Sequence, residues 1–76
     1  MGTLPVLSSR EVLALLESHG FLEVRQRGSH KRLRHPDGRA ATLPFHHAGA
    51  DVAPILLRRI ARDAGLAPAA FATPGH

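Results

Sequence analysis

The chain has no cysteine, tryptophan or tyrosine, and only three phenylalanines in 76 residues. Without cysteine there is no disulfide framework and no thiolate metal site, a usage that fits a reducing cytoplasm. So few aromatic rings argue against base stacking as the main way of holding a nucleic acid. The longest unbroken apolar run, residues 12–16, is five residues long, far below the roughly 20 that a membrane helix needs. No basic segment leading into an apolar stretch opens the chain, so no secretory signal and no membrane association are expected. Negative charge is also scarce: six Asp and Glu stand against ten Lys and Arg, for a net charge of +4. This balance favours an anionic partner, and any nucleic-acid affinity should come from phosphate contacts and fall with salt. The expectation is one cytoplasmic domain over residues 1–76, near the small end of what folds without help.

What is present is patterned. Residues 1–7 carry no period and are expected to be a flexible lead-in. Ser8 or Ser9 can cap a helix, with Glu11 in its first turn, where a carboxylate suits the N-terminal dipole. Val12, Leu13, Leu15 and Leu16 then form a helical stripe, ended by His19 and by Gly20 in the left-handed C′ position. A helix over residues 9–19 follows. Residues 45–50 are expected to be a loop. Asp51 is a plausible cap for a second helix, with Pro54 in its first turn. Ile55, Leu56, Leu57, Ile60, Ala61 and Ala64 give that helix a broad apolar face, and Gly65 ends it. Arg58, Arg59 and Arg62 are assigned to its solvated side. Leu66, Pro68 and Phe71 are expected to pack back on the core as a short turn, and residues 72–76 to be a frayed tail.

Between the helices, alternation from Leu22 onward predicts a strand, and Gly28-Ser29 fits a two-residue type II′ turn, which wants Gly first. Residues 26–38 hold four of the ten Lys and Arg and two of the six His. If Arg27 pairs with His30, then Arg25 faces Arg32 and Val24 faces Leu33. Leu22, Val24 and Leu33 would share one face, and Glu23, Arg25, Arg27, His30, Arg32 and Arg34 the other. Lys31 falls on the apolar side. A one-residue slip would bury the charges, so the pattern favours this register. His35-Pro36-Asp37-Gly38 predicts a type I turn with a bulge at Gly38, pairing Leu33 with Ala41 and Arg32 with Thr42. The fold class expected is α+β, in the order α-β-β-β-α. It has a three-stranded antiparallel sheet, both helices on one face, and the other face open and basic.

Several segments together resemble the HicA toxins of bacterial HicA–HicB toxin–antitoxin systems. They are Glu11-Val12-Leu13-x-x-Leu16, Gly20-Phe21-x-x-x-Arg25-Gln26-x-Gly28-Ser29-His30 and Arg34-His35-Pro36-Asp37-Gly38-Arg39. Leu43-Pro44-x-His46 and Leu57-x-x-Ile60-x-x-x-Ala64-Gly65-Leu66 complete the set. The resemblance implies a double-stranded-RNA-binding-domain-like fold and a metal-independent endoribonuclease that cleaves messenger RNA without a cofactor. It implies a HicB-like antitoxin that covers the active site, in a complex of higher oligomeric order. The family's catalytic histidine falls on His30. The chain departs from the family at His47-Ala48-Gly49-Ala50, which is less charged, and at Pro54-Ile55-Leu56, which is more apolar.

The chemistry fits those residue types. Histidine takes and gives protons near neutral pH, and cations stabilise a charged phosphorane. Arg25, Arg27, Arg32 and Arg34, with the Gly28-Ser29 turn, are the candidate RNA contacts. His46 is the first candidate for a second acid/base group and Ser29 a poorer one. The competing reading of His30 is an exposed turn residue in a non-catalytic RNA-binding module. A metal site among His30, His35, His46 and His47 is disfavoured, because His46 and His47 are adjacent and no helical H-x-x-x-H occurs.

Overall fold

A computed structural model of the chain describes residues 6–67 and 69–72. Eight elements follow one another: β1 (Leu7–Ser8), α1 (Ser9–Ser18), β2 (Leu22–Arg27), β3 (His30–Arg34), β4 (Ala40–Pro44), β5 (Asp51–Val52), α2 (Pro54–Ala64) and α3 (Ala69–Ala72). β2, β3 and β4 form an antiparallel meander with β3 in the middle. The expected α+β order is therefore present, in the arrangement of a double-stranded-RNA-binding domain. The core lies between the sheet and the helices: Val12, Leu16, Phe21, Leu33, Leu43, Leu57 and Phe71 are each fully buried.

The start of α1 is built locally. Ser8 is its N-cap: its hydroxyl accepts from the Glu11 N–H, while the Glu11 carboxylate accepts from the Ser8 N–H at 2.8 Å, a reciprocal capping box. The next two helix donors are satisfied at long range, Ser9 N–H by Ala50 O and Arg10 N–H by Ala48 O. The loop after β4 is thereby tied to the helix N-terminus. Ser9, the one buried polar residue among those described, donates its hydroxyl to Pro44 O at 2.9 Å.

Three expectations outside the central sheet are corrected. Leu7 is not part of an unstructured lead-in; it is buried and pairs with Val52 in a second, two-stranded sheet of β1 and β5. Asp51 consequently lies in that strand and does not cap α2, whose N-cap is Ala53 with no side-chain cap. Pro54 opens the helix instead, where its fixed φ is already helical. At the other end Phe71 packs into the core as expected, while Pro68 and residues 73–76 lie outside the described residues. Ile55, assigned to the apolar face of α2, is 77% exposed, and that face meets the core from Leu56 onward.

The largest correction concerns β2. Glu23, not Val24, stands opposite Leu33, and the register shifts between Glu23 and Arg25, with Val24 as the extra residue of a bulge. Phe21 is fully buried beneath the helices. Regular alternation from Phe21 would turn Arg25 and Arg27 into the core. The Gly28-Ser29 turn demands the opposite, with Arg27 facing His30 and Arg25 facing Arg32, as expected. One additional residue reconciles the two ends. Leu22 and Val24 are exposed as a result, and the shared apolar face predicted for Leu22, Val24 and Leu33 does not form.

Arg39 locks the sheet to the end of α2. Its guanidinium pairs with Asp37 at 2.8 Å, lies 5.4 Å from the centre of the Phe21 ring and donates to Ala64 O at 2.6 Å. The last contact places a cation on orphan carbonyls at a helix C-terminus. Replacing Arg39 by Ala is expected to cost about 1.5–3 kcal/mol, the range for charge-assisted hydrogen bonds, measured by urea denaturation.

Acid should also loosen the fold at defined points. The Ser8 backbone and side-chain hydrogen bonds hold the Glu11 carboxyl below its ordinary range, and the Arg39 backbone N–H does the same for Asp37. Both pKa values are lowered on folding, so their stabilisation is complete above the unfolded-state values and is lost as pH falls through the folded ones. Glu11→Gln, which keeps an acceptor for the cap, should flatten the acid limb of a melting-temperature profile below about pH 4.5.

Candidate functional site

The site begins with the turn that joins β2 to β3. Gly28 has a φ of +56° and no described non-glycine residue has a positive φ, so the Gly-Ser pair follows the type II′ pattern, positive then negative. Ser29 O accepts from the Phe45 N–H, which fastens the turn to the end of β4. His30, the first residue of β3, is held between Arg27 on one side and Pro44 on the other.

Alternation along β3 then separates two kinds of cation. Lys31 points to the helix side, where it pairs with Glu23 at 3.1 Å and lies over the Phe45 ring at 4.7 Å. His30, Arg32 and Arg34 point to the open side. There, with Val24, Arg25, Arg27 and Thr42, they line a trough of about 780 Å³. Every arginine assigned to the site from the sequence is in that trough, with His30 among them. Gly28 and Ser29 form the turn at its end, but neither lines it.

The charge of the trough is not neutralised internally. Among the described residues the ion pairs are Lys31–Glu23 and Arg39–Asp37, and none involves Arg25, Arg27, Arg32 or Arg34. Arg32 donates to the neutral Thr42 hydroxyl at 3.0 Å. Arg25 and Arg32 face each other across the strands, a like-charge pairing that opposes folding. An anion laid along this face would supply the missing counter-charge.

The other histidines are placed elsewhere. His35 packs edge-on to Phe21 with ring centres 5.2 Å apart, and its Nδ1 accepts from the Asp37 N–H. A side chain at Gly20, which has a φ of +92°, would come within 2.9 Å of the His35 ring. His35 is thus part of the structure beneath the turn. His46 and His47 are exposed in the loop after β4, and neither lines a cleft that His30 lines. Among the described residues no three His, Asp or Glu side chains are grouped as metal ligands would be.

A second, smaller cleft of about 280 Å³ begins where the trough ends. His30 and Thr42 line both, and the small one is completed by Pro44 and by Leu56, Arg59, Ile60 and Asp63 of α2. Arg59, expected on a solvated helix face, and Asp63, which no sequence motif includes, are thus both beside His30. The spacing 56, 59, 60, 63 is itself a helical stripe, and it borders the buried stripe 57, 60, 61, 64. That signal is present in the sequence; its position beside His30 is not.

A family model described as "HicA toxin of bacterial toxin-antitoxin" matches residues 9–66. The chain belongs to the HicA toxin family. It is therefore a toxin of a toxin–antitoxin system, and the matched span runs from the start of α1 to just past the end of α2. No curated protein matches the chain. No helix among the described residues is long and apolar enough to cross a membrane.

The Arg25–Arg32 opposition has a measurable consequence in the toxin alone. Arg25→Thr should raise stability by about 0.2–1 kcal/mol. The gain should shrink as salt screens the remaining charges, a trend that thermal melts at low and high ionic strength would show.

Proposed function

We propose that this toxin is a metal-independent endoribonuclease that cleaves messenger RNA, with His30 as an acid/base group. The observation that carries the reading is the position of His30 at the end of a trough of four arginines that have no counter-ion among the described residues, in a chain of the HicA family. Cleavage at an RNA phosphate by the neighbouring 2′-OH needs a base for that hydroxyl, an acid for the departing 5′-oxygen and cations for the phosphorane. His30 supplies proton transfer. Arg25, Arg27, Arg32 and Arg34 hold the backbone along the open sheet face, and the Gly28-Ser29 turn keeps bulk away from the strand beside His30.

This mode differs from that of double-stranded-RNA-binding domains, which span successive minor grooves. A single strand suits an open trough on a sheet. The partner that restrains the toxin is a HicB-like antitoxin that covers the trough, in a cytoplasmic complex of higher oligomeric order. The catalytic reaction needs no cofactor.

His30→Ala should remove growth arrest on expression and lower cleavage of messenger RNA by about 10²–10⁴-fold, with the melting curve preserved. Wild-type cleavage should persist in EDTA. Binding to single-stranded RNA should weaken with salt, at a log–log slope of about −3 if four phosphates are neutralised. A folded His30→Ala protein that still cleaves and still arrests growth would show the assignment to be wrong. Salt-sensitive binding without cleavage by the wild type would identify a non-catalytic RNA-binding module.

A further inference from the structure

The proposed reaction requires two proton-transfer groups, and among the described residues that line the trough only His30 is one. Its remaining charged side chains are guanidinium groups, which offer donors and no acceptor for a proton. The small cleft beyond His30 differs in this respect. It contains one carboxylate, Asp63, and one further cation, Arg59, one helical turn apart on α2. Neither takes part in an ion pair among the described residues. The charged groups bordering Asp63 there are His30 from β3 and Arg59 from its own helix, while β4 contributes only the neutral Thr42 and Pro44.

Resting on the ribonuclease reading, we infer that Asp63 is the second proton-transfer group of the toxin, and that Arg59 binds the reacting phosphate between it and His30. Three features converge. His30 and Thr42 border both depressions, so a strand lying in the trough passes His30 as it enters the cleft. The cleft, at about 280 Å³, is near the small end of ligand sites and suits one nucleotide unit rather than a longer segment. Its three side chains able to carry charge are a carboxylate, a guanidinium and an imidazole, which suit the base, the phosphate clamp and the acid of a transphosphorylation.

The step balances with these groups alone. An Asp63 carboxylate oxygen takes the proton of the ribose 2′-OH as the 2′-oxygen forms its bond to phosphorus. The bond from phosphorus to the 5′-oxygen breaks, and protonated His30 gives that oxygen its proton. The products are a 2′,3′-cyclic phosphate and a 5′-hydroxyl end. Arg59 faces the negative charge that builds on the phosphorane oxygens, and its bidentate fork matches two of them. The second acid/base role thereby moves from His46, which lines neither depression, to a side chain on α2.

The test uses the whole toxin and a single-stranded messenger RNA fragment that the wild type cleaves. Asp63→Asn should slow cleavage at neutral pH by about 10²–10⁴-fold and flatten the acidic limb of the pH–rate profile. Its melting curve should be unchanged, and so should its affinity for the all-2′-deoxy version of the fragment, which cannot react. Asp63→Glu should recover part of the rate. Wild-type products should carry 2′,3′-cyclic phosphate and 5′-hydroxyl ends. Cleavage that requires His30 but proceeds normally in Asp63→Asn overturns this assignment and leaves the ribonuclease reading standing. Loss of the acidic limb in His46→Ala and not in Asp63→Asn does the same, whereas 5′-phosphate product ends overturn it together with attack by the 2′-OH. A loss of affinity for the deoxy fragment as large as the loss of rate also overturns it, because Asp63 would then act in binding only. Failure of the wild type to cleave any RNA overturns both.

Discussion

The parity of one strand governs this molecule. Phe21 must enter the core directly after α1, and the Gly28-Ser29 turn fixes Arg27 opposite His30. Counting by twos from either end gives opposite answers for Arg25 and Arg27. The bulge at Val24 absorbs the difference. Without it, either the largest buried side chain near the first helix is exposed or two arginines are driven under the helices, where desolvation without a partner is costly. The basic face exists because the irregularity exists.

The central strand then sorts charge by face. Lys31 is satisfied on the helix side by Glu23, Gln26 and the Phe45 ring. Arg32 and Arg34, one residue away on either side of Leu33, have no carboxylate partner among the described residues. A sheet edge can be protected from aggregation by charge, but that role does not require arginines to face each other across adjacent strands. Charges left unpaired at a cost to stability are characteristic of a surface that meets an anion.

The second sheet and the loop before it set the rim of the site. Backbone bonds from Ser9 and Arg10 to Ala50 and Ala48, together with the Leu7–Val52 pairing, hold the segment between β4 and α2 against the N-terminus of α1. α2 consequently starts where its stripe of Leu56, Arg59, Ile60 and Asp63 borders the end of β3 and β4. The capping box and the short strand pair, although distant from His30 in sequence, fix which helix residues come beside it.

The sequence by itself determined the helices, the turns and the outward set of His30, Arg25, Arg27, Arg32 and Arg34, because capping residues, glycine positions and period-two alternation act over a few residues. It also set Lys31 apart from the open face. Only the tertiary structure decided the bulge, which depends on a competition between two anchors seven residues apart. It also decided the pairing of Leu7 with Val52, which displaced Asp51 from its expected cap. The neighbours of His30 were likewise decided there. His46 is close in sequence to strand β4 but turns into the exposed loop, while Arg59 and Asp63, about thirty residues from His30, border its cleft. Local patterns state which face a side chain takes. Which side chains meet across two elements depends on how the helix packs on the sheet, and that is set by the shared core and not by any single segment.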